Sequence, residues 1–256
     1  MFKNLVYFDS QKVAEYSALL KGERQVDIKK VRRNTSKSVQ GKIPVVSGKY
    51  GDTDEVEGEI IDNPIFDCNE LEELLEQKGQ DNYFDLIENE DYDIETIPKT
   101  AIVRFEGDFN IPVQFDMMDL INEFKPMLTA QMDLENEGEE EVFNKVFGKE
   151  STKIPVFLGS DKFKNRIGFS KLNSNNLKYQ LEELEDFEDE EVTIIAKVLT
   201  RKDVKSTPIV VFDVMKDLLS LNRALRRQME DQEFEGIENI KSDEDVIVFE
   251  VLAIYQ

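Results

Sequence analysis

The sequence predicts an α+β fold: mostly antiparallel sheets with packed helices, built in part from two pseudo-duplicated strand-turn-strand-helix units. Three observations carry this expectation. Short apolar runs of strand length recur along the chain, several lead through a capping residue into a helical apolar period, and the middle of the chain repeats itself. With 256 residues, 40% of them apolar, the chain can bury a sizeable core. Two lobes are expected. Residues 1–95 form a β-α segment with a basic window, an acidic window and a helix, and residues 96–256 form an α+β core.

Taken in order, Leu5 to Phe8 reads as a strand, and Asp9 or Ser10 can cap a helix carrying Val13, Tyr16, Ala18, Leu19 and Leu20 up to Gly22. Gly41 to Ile60 reads as hairpin and loop around Ile43, Val45 and Val46. Leu71, Leu74 and Leu75, spaced i, i+3, i+4, predict a helix from about Asn69 to Lys78, stopped at Gly79. Val142, Phe143, Val146 and Phe147 form a second helical stripe, and Lys153 to Gly159 a strand. Val246 to Gln256 is apolar on both faces apart from Glu250, which predicts a central strand covered on both sides. Truncation before Val246 is therefore expected to abolish soluble expression; a soluble, folded truncation would refute this.

The repeat begins at Thr100-Ala-Ile-Val-Arg-Phe and continues into Ile111-Pro-Val-Gln-Phe-Asp-Met-Met-Asp-Leu-Ile. Its second copy runs from Thr193-Ile-Ile-Ala-Lys-Val to Pro208-Ile-Val-Val-Phe-Asp-Val-Met-Lys-Asp-Leu-Leu. Both contain FDxM, with Asp116 and Asp213 where a strand gives way to a helix. A carboxylate there satisfies free backbone N–H groups, so both are read as caps. The alternative is a pair of matched catalytic carboxylates.

Composition narrows the chemistry. There are 55 Asp and Glu against 32 Lys and Arg, no histidine, and Cys68 is the single cysteine. Histidine-based triads, a Cys/His zinc site and an internal disulfide are excluded. The net charge of −23 opposes bulk DNA binding and steers a basic protein partner toward the chain. No segment approaches the length of a membrane span, and the opening MFKNLVYFDSQK lacks the apolar core of a signal peptide, so a cytoplasmic protein is expected. Nucleotide-loop and nucleophile-elbow motifs are absent, and the single glycine of Gly159-Ser160-Asp161-Lys162 does not make a phosphate loop. No catalytic residue, metal ligand or cofactor is assigned. The dense carboxylates Asp52, Asp54, Glu55, Glu57 and Glu59 lack calcium-loop spacing and read as a solvated acidic loop.

The charge is segregated. Lys21 to Lys49 carries nine cations and two carboxylates, +7, whereas Asp52 to Glu95 carries eighteen carboxylates and one cation, −17. Two basic surfaces are the interaction candidates: Lys29, Lys30, Arg32 and Arg33 in the first window, and Arg223 and Arg227, which share a helical face with Lys216 and Ser220. For each, internal neutralisation by neighbouring carboxylates is the plainer reading.

Val6-Tyr7-Phe8-Asp9 at the start, Arg104-Phe-Glu-Gly-Asp-Phe, Thr193-Ile-Ile-Ala-Lys-Val and the closing Leu252-Ala-Ile-Tyr-Gln resemble a group of bacterial proteins known only as a domain of unknown function. The resemblance spans nearly the whole chain and implies a bacterial, cytosolic protein of one integrated architecture. It brings no activity or site. The expected function is a non-catalytic regulatory or protein-interaction role. A narrower variant is an acidic imitation of nucleic acid, with Glu70, Glu72, Glu73 and Glu76 along one helix at roughly phosphate spacing. The alternative from another class is an enzyme using carboxylate-held Mg²⁺ for phosphoryl chemistry, through Asp9, Asp116 and Asp213.

Overall fold

The structure, a computed structural model, describes residues 3–22, 63–112, 115, 153–180, 182–187, 190–218 and 239–256. Its strands are β1 (Leu5–Phe8), β2 (Tyr83–Asp85), β3 (Ile102–Asn110), β4 (Lys153–Gly159), β5 (Arg166–Asn173), β6 (Val192–Lys202), β7 (Ile209–Phe212), β8 (Ile240–Ser242) and β9 (Asp245–Tyr255). Two longer helices, α1 (Ser10–Lys21) and α2 (Pro64–Lys78), complete an α+β fold whose pairings are mostly antiparallel, as the sequence predicts.

Five strands close on themselves. β3 pairs with β4, β4 with β5, β9 with β6 and β6 with β3, all antiparallel, while β5 and β9 join in parallel. Closure depends on β3 changing partner: Ile102 to Gly107 face β6, and Asp108 to Asn110 face β4. At this handover a Cβ on Gly107 would stand 1.9 Å from the carbonyl oxygen of Gly159, so only glycine lets the two backbones approach. The result is a small Greek-key barrel of the OB type. β1 adds antiparallel to the end of β9, and β2 adds parallel to the start of β3.

The strand period of two splits the apolar residues between two cores. Val103, Phe105, Phe109, Ile194, Ala196 and Val198 belong to the barrel core with Ile154, Val156 and Leu158 of β4. The rings of Phe105 and Phe163 stand 4.9 Å apart, and Phe249 lies 5.5 Å from both. The intervening residues Ile102 and Ile195, with Leu252, Ala253 and Tyr255, pack instead with Val13 of α1 and Cys68, Leu71 and Leu75 of α2. β1 contributes Leu5 and Phe8 to this second core, so segments from both expected lobes meet there.

Local chemistry sets the helix ends. The Asp9 carboxylate accepts the Lys12 N–H at 3.0 Å, and Gly22 closes α1 in the left-handed region at φ +74°. α2 starts at Pro64, a turn earlier than the leucine spacing indicates, because the Asn63 side chain accepts the Phe66 N–H and proline favours the first helical position. β5 is absent from the sequence reading for a physical reason. Its pairs Val156–Ser170 and Leu158–Gly168 set small residues against the core residues of β4, while Phe169 between them is buried as well, so the strand shows no clean apolar alternation. The two strands of the second repeat copy lie in different sheets, since β6 pairs with β3 and β9 and β7 pairs with β8. β9, in contrast, is the central strand expected, pairing with β1, β5 and β6.

Candidate functional site

Charged side chains gather in two clusters. The first lies where α2, β2, β3 and the end of β9 converge. Glu72 projects from α2 beside the apolar stripe and accepts hydrogen bonds from Lys3 Nζ and the Tyr255 hydroxyl, with Arg104 Nε at 3.6 Å. Arg104 Nη1 donates to Asp85 Oδ2 at 2.7 Å, and the Tyr83 hydroxyl donates to the same oxygen at 3.3 Å. The Lys3 ammonium also stands 4.1 Å from the centre of the Tyr255 ring. Two cations therefore face two carboxylates, each largely withdrawn from water.

The surroundings favour inert protonation states. Burial, reinforced by Glu72 and opposed by Lys3, pushes the Cys68 thiol up to about 11. At neutral pH it is a protonated thiol, not a nucleophilic thiolate. Burial likewise raises the Tyr83 and Tyr255 phenols. For Arg104 burial acts downward, but the hydrogen bonds with Tyr255 and Asp85 outweigh it, so the guanidinium is held more firmly charged. No carboxylate in this cluster is left without a cationic or phenolic donor, so the group serves as a lock between elements.

The second cluster ties the loop between β2 and β3 to the strand ends. Arg166 bonds Glu95, meets Asp203 at 2.8 Å and lies 3.8 Å from Asp245. Lys164 pairs with Asp93 at 2.6 Å, and this bond together with the Glu95 N–H lowers the Asp93 carboxyl below its ordinary range. Arg201 donates to the carbonyls of Ile94 and Ile97. A smaller set sits under α1, where the Tyr16 hydroxyl donates to Glu250 and accepts from Lys197, both at 3.0 Å.

The opposite wall of the barrel carries aromatics. Phe157 and Phe169 face each other across β4 and β5 with ring centres 5.6 Å apart. In OB-type barrels the second and third strands form the usual ligand face, and these are β4 and β5 here. That analogy concerns architecture only. Lys171, two residues on from the buried Phe169, pairs with Asp217 at 2.6 Å and stands 5.6 Å from the centre of the Phe212 ring, so the chain occupies this cation with its own carboxylate and aromatic. The phenylalanines that open the two FDxM motifs meet nearby: Phe115 and Phe212 pack edge to face at 5.8 Å.

The candidate residues divide accordingly. Lys29, Lys30, Arg32, Arg33, Arg223 and Arg227 lie outside the described residues, as do Asp116, Ser220, the acidic loop from Asp52 to Glu59 and the stripe from Val142 to Phe147. Lys216 is described and exposed. Asp9 and Asp213 are caps, the latter accepting the Lys216 N–H at 3.0 Å. Ser160 likewise serves local structure, accepting the Lys162 N–H and donating to the Glu106 carbonyl. Of the supposed carboxylate row on α2, Glu72 turns into the first cluster and Glu70 pairs with Lys21, which leaves Glu73 and Glu76 exposed. The cluster around Arg104 is missing from the sequence reading; its signal is an arginine set between the apolar Val103 and Phe105 at the start of β3.

Residues 2–255 match the family described as "Domain of unknown function (DUF6414)". The chain belongs to this family. No curated protein and no solved structure matches it. Among the described residues no helix is long and apolar enough to cross a membrane.

Proposed function

We propose that this family member is a non-catalytic interaction protein of regulatory type, working in the bacterial cytoplasm through charge-patterned surfaces. The observation that carries the reading is the commitment of the clustered charges to one another. Around Arg104 and around Arg166 the acids and bases hold elements together, and the thiol is protonated at neutral pH. Recognition therefore falls to the outer surface, where large apolar side chains, Leu19 and Phe66 at 62% exposure each, stand among charges.

The test is affinity capture on the immobilised full chain from the native bacterium at low and at high salt. A discrete, salt-sensitive partner is expected, since recognition between charged surfaces weakens with ionic strength. Recovery of no partner under either condition, or turnover of a phosphoryl substrate with Mg²⁺, would overturn the reading.

A further inference from the structure

We propose that the groove between α1, α2 and the start of β3 docks an acidic segment of a partner protein and takes one large apolar side chain from it. This rests on the interaction reading above and gives it a place and a chemistry. Leu75 and Ile102, both nearly inaccessible, form the floor of the groove, and Tyr16, Leu20 and the exposed Leu19 continue its apolar lining. The space is about 270 Å³. That falls under the roughly 300 Å³ at which small-molecule pockets begin. It exceeds the roughly 150 Å³ that holds a benzene ring. One phenylalanine or leucine side chain fits.

Charge selects the flanks of the occupant. Lys78 lines the groove and Lys99 adjoins Thr100 on its rim; both are exposed, and neither forms an ion pair among the described residues. In a chain of net charge −23 this pair of lysines is a local reversal, and carboxylates beside the inserted side chain would meet it favourably. An independent sign comes from the backbone. Thr100, on the rim, is held at φ +76°, a conformation unfavourable for a β-branched residue, and its N–H donates to the Val198 carbonyl at 2.7 Å. Strain of this kind collects at binding surfaces, where it fixes the shape a ligand meets.

The probe is a short fluorescein-labelled synthetic peptide with a single phenylalanine flanked by glutamates, titrated into the full chain and read by anisotropy. Two control peptides replace the phenylalanine by alanine or the glutamates by lysines. Saturable binding is expected for the first peptide alone, weakened at least about tenfold in Lys78→Glu/Lys99→Glu and in Leu19→Asp. These positions are exposed, so the variants are expected to keep the parent's circular dichroism and melting temperature. No saturation with the parent chain, equal binding of either control, or undiminished binding by the folded double variant overturns the proposal. If the double variant still captures the salt-sensitive cellular partner, the interaction reading stands and the groove is wrong. If the parent captures nothing, the interaction reading fails by itself, while the peptide titration still decides the groove.

Discussion

The cluster around Arg104 and the one around Arg166 use the same groups, but their carboxylates stand in opposite surroundings. Glu72 is 15% exposed and shared by Lys3, Arg104 and Tyr255, whereas Asp203, which meets Arg166, is 67% exposed. The loop between β2 and β3 connects them, starting beside Asp85 of the first cluster and carrying Asp93 and Glu95 of the second. Removing one member of a buried set leaves a desolvated charge without its counterion, while an exposed carboxylate is readily replaced by water and salt. Equal chemistry thus has unequal energetic weight.

That contrast can be broken at its strongest point first. Glu72→Ala leaves Lys3 and Arg104 short of an anion in a water-poor site and is expected to cost about 3–5 kcal/mol in urea unfolding; a loss as small as an exposed pair's would place both clusters in the same regime. Next comes alkaline pH. The Cys68 proton is held up to about 11 against an ordinary 9.0, so the folded chain binds more protons than the unfolded chain between those values. Its stabilisation is complete below the ordinary value and fades as pH rises through the folded one, by on the order of 2–3 kcal/mol. The raised Tyr83 and Tyr255 act in the same direction. Urea midpoints across this range should fall steeply, with less slope in Cys68→Ala.

Thr100, at the end of the connecting loop, is a smaller lever. Glycine tolerates its φ of +76°, so Thr100→Gly is expected to raise stability by about 1 kcal/mol in the same assay. The smallest change belongs to the exposed cluster: Asp203→Ala should stay within about 0.5 kcal/mol and vanish in high salt. Asp93 supplies the sign at low pH. Because its folded pKa lies below the ordinary 3.8, its contribution is present above that value and lost as pH falls through the folded one. Asp93→Asn should flatten that part of the acid limb.

What the sequence disclosed, and what it withheld, follow the same division between local and distant causes. β1, α1, the Asp9 and Asp213 caps and β9 are written in neighbouring residues: an apolar run, a carboxylate at the right offset, a glycine after the last turn. Closure of the barrel was not legible, because it rests on Gly107 meeting Gly159 across strands far apart in the chain. β5 was hidden by Gly168 and Ser170, which leave it without a clean apolar alternation. Counting charge found the segregated windows, but it could not show that Glu72 leaves its helical neighbours to join Lys3 and Arg104, since that depends on what α2 lies against.

The placing of β9 has a consequence for the order in which the protein can assemble. It follows every other described strand in sequence and hydrogen-bonds to β1, β5 and β6, and Asn4 and Gln256 exchange reciprocal backbone hydrogen bonds. β1 must therefore wait for a partner made almost a chain length later, and β6 and β5 keep an open edge until then. Such long-range closure slows folding and leaves strand edges available for wrong pairing during synthesis. Until β9 is in place, β1, β5 and β6 each lack a partner strand, and the unfinished cylinder presents the edges at which wrong pairing is easiest.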